Sequence, residues 1–290
     1  MDRRGFLALA LAAAATRSAG AEPFSHGLLW KISRGGAVAG HVFGTIHVAD
    51  PRLGELPAPV AAALAQSSSL TVEYLPDDYG KERFLEASMF PDARTLEGTI
   101  GAEDFARVFE HLKPIGLTRE FVNKLKPWGV LLNLREPQPA SGATLDAQLH
   151  ALARERRLPL YPMEGIEEQV FTFDEFPMES QVALLKHGLA HYDELAAMAE
   201  RTLQAYLQRD LAALWRVQRD YAARYPEIAA HNALLVKRVI DDRSVVMAYR
   251  MQRQLRRGRA FVALGALHLY GARGVLALLQ QDGYRAARVY

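Results

Sequence analysis

Two short segments near opposite ends of the chain carry the same pattern, Gly44-Thr45-Ile46-His47 and Gly265-Ala266-Leu267-His268. In each, a histidine stands three residues after a glycine at the end of an apolar run, where an imidazole can ligate a divalent cation or carry a proton. Two carboxylates occupy comparable places: Glu73 ends Leu70-Thr71-Val72, and Glu164 follows the apolar run 158–163. The chain has no cysteine. Disulfides, thiolate catalysis and Cys-ligated zinc or iron–sulfur centres are therefore excluded, and any metal has to be held by imidazole and carboxylate.

Each of these residues also has a plain structural reading. A single histidine after a strand is ordinarily a loop or core residue, and it is the recurrence in matching contexts that favours a function. Glu73 ends a stretch that should be buried on both faces, so its carboxylate needs a cation, a metal or a raised pKa; an ion pair with Arg243 would serve equally. Glu164, followed by Gly165, Glu167 and Glu168, also reads as the first turn of an exposed helix. Arg243, in Asp241-Asp242-Arg243, reads as a local ion pair. His111, His150, His187, His191 and His231 fall in helical patterns and read as surface residues. His187 and His191 have the i, i+4 spacing of a metal-binding helix face, but no third ligand is placed to complete it.

The elements that must position these groups follow from hydrophobic periodicity. An apolar run at 41–47, a Pro/Gly loop, a helical pattern at 58–66 and a strand-like 70–73 are matched by 261–268, a Gly-rich loop, a helical 275–281 and a terminal 285–290. Strand, Gly-x-x-His, loop, helix, strand is how a βαβ unit reads. The expected fold is therefore α/β, a mostly parallel sheet built from two such units at the chain ends. Residues 158–163 add a third strand candidate after a helix at 145–157 that Thr144 should cap. Helical patterns at 102–112, 119–125 and 178–219 predict a large helical insertion, roughly residues 100–250 of a single domain spanning 22–290. Ligands of open parallel sheets bind beyond the carboxyl ends of the strands. His47, His268, Glu73 and Glu164 are thus expected on one rim, with Gly44 and Gly265 leaving room for a neighbouring backbone or a bound ligand.

Length and composition, 290 residues with 50% hydrophobic and 23% charged, suit a folded protein with a large core. Residues 1–21 read as an export signal: Arg3 and Arg4, an apolar run at 6–15, and the small-residue site Ala19-Gly20-Ala21. Arg3-Arg4-Gly5-Phe6-Leu7 resembles the twin-arginine motif, although Asp2 stands where Ser or Thr is usual. The run is shorter than the ~20 residues of a membrane span, and later apolar stretches are broken by charges, so an exported protein without a transmembrane segment, periplasmic or extracellular, is expected. Removing 1–21 takes three arginines and one aspartate from 35 basic and 33 acidic residues, leaving 32 of each. A neutral chain without a basic stripe is poorly suited to nucleic acid. The sequence fixes no oligomeric state.

Taken together, Gly44-Thr45-Ile46-His47, Glu73, the segment 142–169 with Asp146 and Met163-Glu164-Gly165, and Gly265-Ala266-Leu267-His268-Leu269-Tyr270-Gly271 resemble the TraB/GumN family over residues 29–290. That family takes in the Tiki membrane proteases and is similar to the haem-binding ChaN and erythromycin esterase group. The resemblance implies an α/β core with a helical insertion and, for the Tiki branch, metal-dependent peptide hydrolysis using the two histidines and a glutamate. It also implies an arginine near the last long helix, which Arg243 matches, with Ser244 where an asparagine is common. On this reading His47, His268 and Glu73 hold Mn²⁺, Co²⁺ or Zn²⁺, Glu164 is the general base and Arg243 steadies the oxyanion; the substrate is a peptide or small molecule. Two alternatives stay open: a metal-independent esterase- or amidase-like hydrolase with a histidine base, and a non-catalytic protein that binds haem or a peptide.

Overall fold

Six strands form one sheet: β1 (Leu29–Arg34), β2 (Ala37–Thr45), β3 (Ser69–Val72), β4 (Leu160–Pro162), β5 (Ala260–Gly265) and β6 (Arg285–Arg288). Their order is β4-β3-β5-β2-β1-β6. Neighbours from β4 to β2 are parallel, while β1 is antiparallel to both β2 and β6, so β1 alone runs against the others. The fold is the mostly parallel α/β arrangement expected from the paired end units. The computed structural model describes residues 23–134 and 143–290, and the export signal read at 1–21 lies outside the described residues.

Two details depart from the simple pair of units. The hairpin partner β1 precedes β2 through Gly35-Gly36, both with positive φ (56° and 84°), the conformation that two-residue hairpin turns require. The terminal strand β6 does not lie beside β5; it crosses β2 and β1 to pair at the far edge. The connection from β2 to β3 passes over β5 in the opposite direction. Right-handed crossovers therefore put the helices Ala58–Ala65 and Val275–Gln281 on opposite faces. Strands β3 and β5 are buried at every position, as a sheet covered on both sides demands.

The helical insertion between β3 and β5 begins at Asp78, ahead of the expected residue 100, and runs to Arg257 with one return to the sheet at β4. Leu96, Phe105, Val108, Leu112, Val122, Leu185 and Leu189 form a second core separate from that of the sheet. The pattern 178–219 resolves into three helices, Met178–Ala190, Tyr192–Leu207 and Leu211–Arg224. The second break is local chemistry: Arg209 adopts φ 59°, and the Asp210 carboxylate accepts from the Ala213 amide to start the next helix. Thr144 caps Leu145–Glu155 as expected, its hydroxyl accepting from Ala147 N at 3.2 Å. Among the described residues, no helix is long and apolar enough to cross a membrane.

Candidate active site

Register determines which side chains meet. Thr45 pairs with Gly265 at the carboxyl ends of β2 and β5, so the turns carrying His47 and His268 leave the sheet side by side. Val72 pairs with Ala263 and Pro162, which brings Glu73 onto the same rim. Just beyond β4, the Glu164 amide donates to the Glu73 carbonyl at 2.8 Å.

Glu73 is the hub. Its Oε1 accepts from the Gly265 amide at 2.6 Å and lies 3.8 Å from His47 Nε2 and 4.0 Å from His268 Nε2. Its Oε2 accepts from Arg243 Nη2 at 2.6 Å. Burial pushes the Glu73 carboxyl up, but His47 and Arg243 more than offset this and hold it well below the usual carboxylate range. The ion pair foreseen between Glu73 and Arg243 is present, and the carboxylate is charged.

Each imidazole is anchored through Nδ1, which leaves Nε2 turned toward Glu73. Asp146 Oδ2 stands 3.0 Å from His47 Nδ1, and its Oδ1 is held by the Thr45 hydroxyl at 3.0 Å. Ser244 Oγ lies 2.9 Å from His268 Nδ1 and donates to the Ile240 carbonyl at 2.7 Å. Because that donation uses the hydroxyl hydrogen, Oγ accepts from His268 Nδ1–H, and Nε2 carries the lone pair. The six-residue π-helical segment Lys237–Asp242 directly precedes Arg243, and such segments are frequent at functional sites. It delivers Arg243 and Ser244 together to the rim.

The two rings titrate in opposite directions. Burial opposes charge on His47, but its contacts with Asp146 and Glu73 prevail and raise it to about 10. His47 is also the open lip of the site, with 61% of its side chain exposed. His268, with 4% exposed, is pushed down to about 4 by burial. Since the unfolded chain's histidine protonates near 6.5, a folded value depressed to about 4 means stability present above pH 6.5 is lost as pH falls toward 4. The expected loss is on the order of 3 kcal/mol. Melting of the metal-free protein across that window should show the loss and His268→Gln should flatten the slope; equal slopes would contradict a buried neutral imidazole.

Glu164 lies behind this layer. Both its oxygens accept from Arg243, at 2.8–3.1 Å, and Oε2 also accepts from Gln169 at 2.5 Å. Its side chain is 4% exposed. Gly265 faces the hub directly: a Cβ there would sit 3.3 Å from Glu73 Oε1, 3.4 Å from His47 Nε2 and 3.5 Å from His268 Cδ2. Gly44 has a different reason to be glycine. A Cβ at Gly44 would meet Leu269 Cδ1 at 2.7 Å and Ala266 Cα at 3.1 Å, so it admits the 266–269 turn and leaves no ligand space.

Imidazole nitrogen and carboxylate oxygen are the donor types that divalent cations take. His47, raised to about 10, is a cation at neutral pH, so an ion would have to displace its Nε2 proton before that nitrogen could serve as a ligand; Gly265 leaves space beside Oε1 and the two Nε2 atoms. Two ligands of a tetrahedral ion lie about 3.4 Å apart, so Oε1 and each Nε2 need to close by roughly half an ångström to share one. Among the described residues, no group of three or more His, Asp or Glu side chains is already drawn tightly enough to hold an ion.

The other histidines correct the expectation of surface positions. His187 is buried, with Nε2 3.0 Å from the Tyr221 hydroxyl and its ring 4.5 Å from that of His191. His111, half-buried, stacks on Tyr192 at 3.7 Å. These rings fill gaps between helices, a use that helical spacing does not reveal. Sequence reasoning gave Asp146 no site role beyond its place in the resembling segment, and it gave Gln169 none. Asp146 lies in the first turn of its helix, where an acid is already explained by the helix dipole.

The architecture and site define an α/β protein with a histidine–carboxylate–arginine centre at the carboxyl ends of adjacent parallel strands. The chain belongs to the TraB/PrgY/gumN family, which it matches over residues 28–288. It is 22% identical over 236 residues to uncharacterized protein YbaP of Escherichia coli (strain K12), a match covering 80% of this chain and 84% of that protein. The YbaP protein of Shigella flexneri matches to the same extent, 22% over 236 residues. No solved structure matches the chain.

Proposed function

We propose that this protein is a metal-dependent hydrolase, peptidase-like in substrate class, acting in the cell envelope. The observation that carries the reading is the convergence of two imidazole Nε2 atoms on one oxygen of Glu73, around the space left by Gly265, with the other nitrogen of each ring already anchored. A divalent ion held by His47, His268 and Glu73 supplies a Lewis acid for a scissile carbonyl and a water of lowered pKa. Asp146 and Ser244 fix the ring orientations, as partners outside a ligand shell do. Arg243 holds Oε2 of Glu73 and so aims Oε1 at the rings. We assign Glu164 to positioning Arg243 rather than to the base role read from sequence, because Arg243 and Gln169 occupy both its oxygens. Arg243 Nη1, which makes one bond at 3.3 Å to the Val239 carbonyl, retains a hydrogen for a substrate oxygen. The peptide class follows the resemblance to the Tiki branch, and the envelope assignment follows the signal pattern at 1–21.

The test is cleavage of a mixed peptide library by chelator-stripped mature protein, residues 22–290, with Mn²⁺, Co²⁺ or Zn²⁺ restored singly. Cleavage is expected only with metal present. Activity that survives exhaustive chelation would instead establish the metal-independent imidazole-base alternative, and an absence of cleavage with all three ions would remove the peptidase reading.

A further inference from the structure

The helix Ala229–Val236 reads Ala-Ala-His-Asn-Ala-Leu-Leu-Val, yet none of its residues is buried, nor is any in the π segment Lys237–Asp242 that follows. An apolar helix face is ordinarily covered. Here Leu235, Val239 and Ile240, together with Leu267, Trp128 and Trp215, line a pocket of about 250 Å³. Among the described residues no charged side chain lines it; Gln218 and Asn232 are its polar members.

This pocket begins one residue from His268 and one turn from Arg243. Leu267 immediately precedes His268, and its carbonyl accepts from Trp215 Nε1 at 3.1 Å, which fixes that wall. The Val239 carbonyl accepts from Arg243, and the Ile240 carbonyl accepts from Ser244. The backbone that walls the pocket thus also carries the site. Its volume falls below the ~300–1,000 Å³ of cavities that enclose whole ligands; it suits one large side chain, not a helix or a complete small molecule.

We propose that this pocket is a specificity subsite that receives one large apolar side chain, aromatic or leucine-like, of a peptide laid across the His47–His268 site. The inference rests on the hydrolase reading for its substrate class. Charged side chains are disfavoured because none of the described lining residues compensates their desolvation. Gln218 and Asn232 offer amide groups that can hydrogen-bond peptide backbone.

Two of the chain's three tryptophans, Trp128 and Trp215, line the pocket, so intrinsic fluorescence reports its occupancy without turnover. Chelator-stripped protein is titrated with N-acetyl-phenylalaninamide and N-acetyl-alaninamide. The phenylalanine amide should shift tryptophan emission at concentrations at least about tenfold lower than the alanine amide, and Val236→Phe, which fills the pocket, should abolish that difference. In metal-restored protein, peptides differing only in Phe against Ala beside the cleaved bond should differ about 10–100-fold in kcat/KM, a ratio that collapses in Val236→Phe. Indistinguishable amides with wild-type protein overturn the proposal, and that comparison does not depend on the variant folding. Amide discrimination without hydrolysis of any peptide supports the subsite and removes the hydrolase reading; hydrolysis without apolar preference or amide discrimination keeps the hydrolase and removes the subsite.

Discussion

On the proposed metal-hydrolase reading, Gly265→Ala should abolish metal uptake and turnover while leaving the fold in place. The backbone at Gly265 has φ −55° and ψ 135°, a conformation open to any L-residue, so alanine adds no backbone strain there, although Glu73 and His47 must give by a few tenths of an ångström to admit its Cβ. Its amide continues to donate to Glu73. The added methyl, however, would stand 3.3–3.5 Å from the Glu73, His47 and His268 side chains at the point where they converge. An ion cannot share that space. Metal affinity and kcat/KM are expected to fall at least about 100-fold, in a protein that still melts cooperatively. Equilibrium dialysis and thermal melting check both halves; full metal content in a folded Gly265→Ala protein would place the ion elsewhere.

Arg243→Met should be the most destabilising single change in the site. Arg243 and Glu73 side chains are each 13% exposed and that of Glu164 is 4% exposed, so removing the guanidinium leaves two buried carboxylates without their common partner. Breaking a buried pair in this way costs about 3–5 kcal/mol, on the order of 10 °C in melting temperature for a protein of this size. The sign with pH is fixed by Glu73, whose depressed folded pKa gives stability above the ordinary carboxylate value that is lost as pH falls. The penalty of Arg243→Met should therefore be large at pH 7 and shrink as pH falls, because a Glu73 carboxyl that has lost Arg243 protonates more readily and then needs no counter-charge. Adding Glu164→Gln should recover part of the loss at pH 7, because it removes one unpaired charge. Urea titrations at pH 7 and at successively lower pH test this, and a pH-independent penalty would mean that packing, not charge, is what Arg243 supplies.

The parts of this site legible in the sequence were those that local pattern constrains. Two Gly-x-x-His turns at strand ends predicted that His47 and His268 share a rim, and a carboxylate closing a strand buried on both faces marked Glu73 as a residue in need of a cation. Arg243 was one of the partners expected for Glu73, although its own position favoured local pairing. Arg243 pairs across 170 residues with Glu73 and across 79 with Glu164, while its neighbour Asp242 pairs with Lys237 and Arg273. Local proximity pointed to the wrong acids because the π segment turns Arg243 inward, and no residue pattern announces that turn. Ser244, which stands where the resemblance implies an asparagine, keeps a hydrogen-bonding atom within reach of His268 Nδ1. Gly44 and Gly265 look alike in sequence, yet one makes room for a packed turn and the other for the site; only the register of β2 against β5 separates them. The strand β1 was missed as well, although Gly35-Gly36 between two apolar runs was a hairpin signal.

The most direct test is to titrate the chelator-stripped mature protein with Co²⁺, whose visible absorption reports its coordination, in parallel with His47→Ala and His268→Ala. The account predicts one ion per chain bound by the parent, with spectra of nitrogen and oxygen ligation, and binding lost or weakened at least about 100-fold in both variants while they remain folded. Absence of Co²⁺ uptake by the parent, or uptake unchanged in both variants, would contradict it.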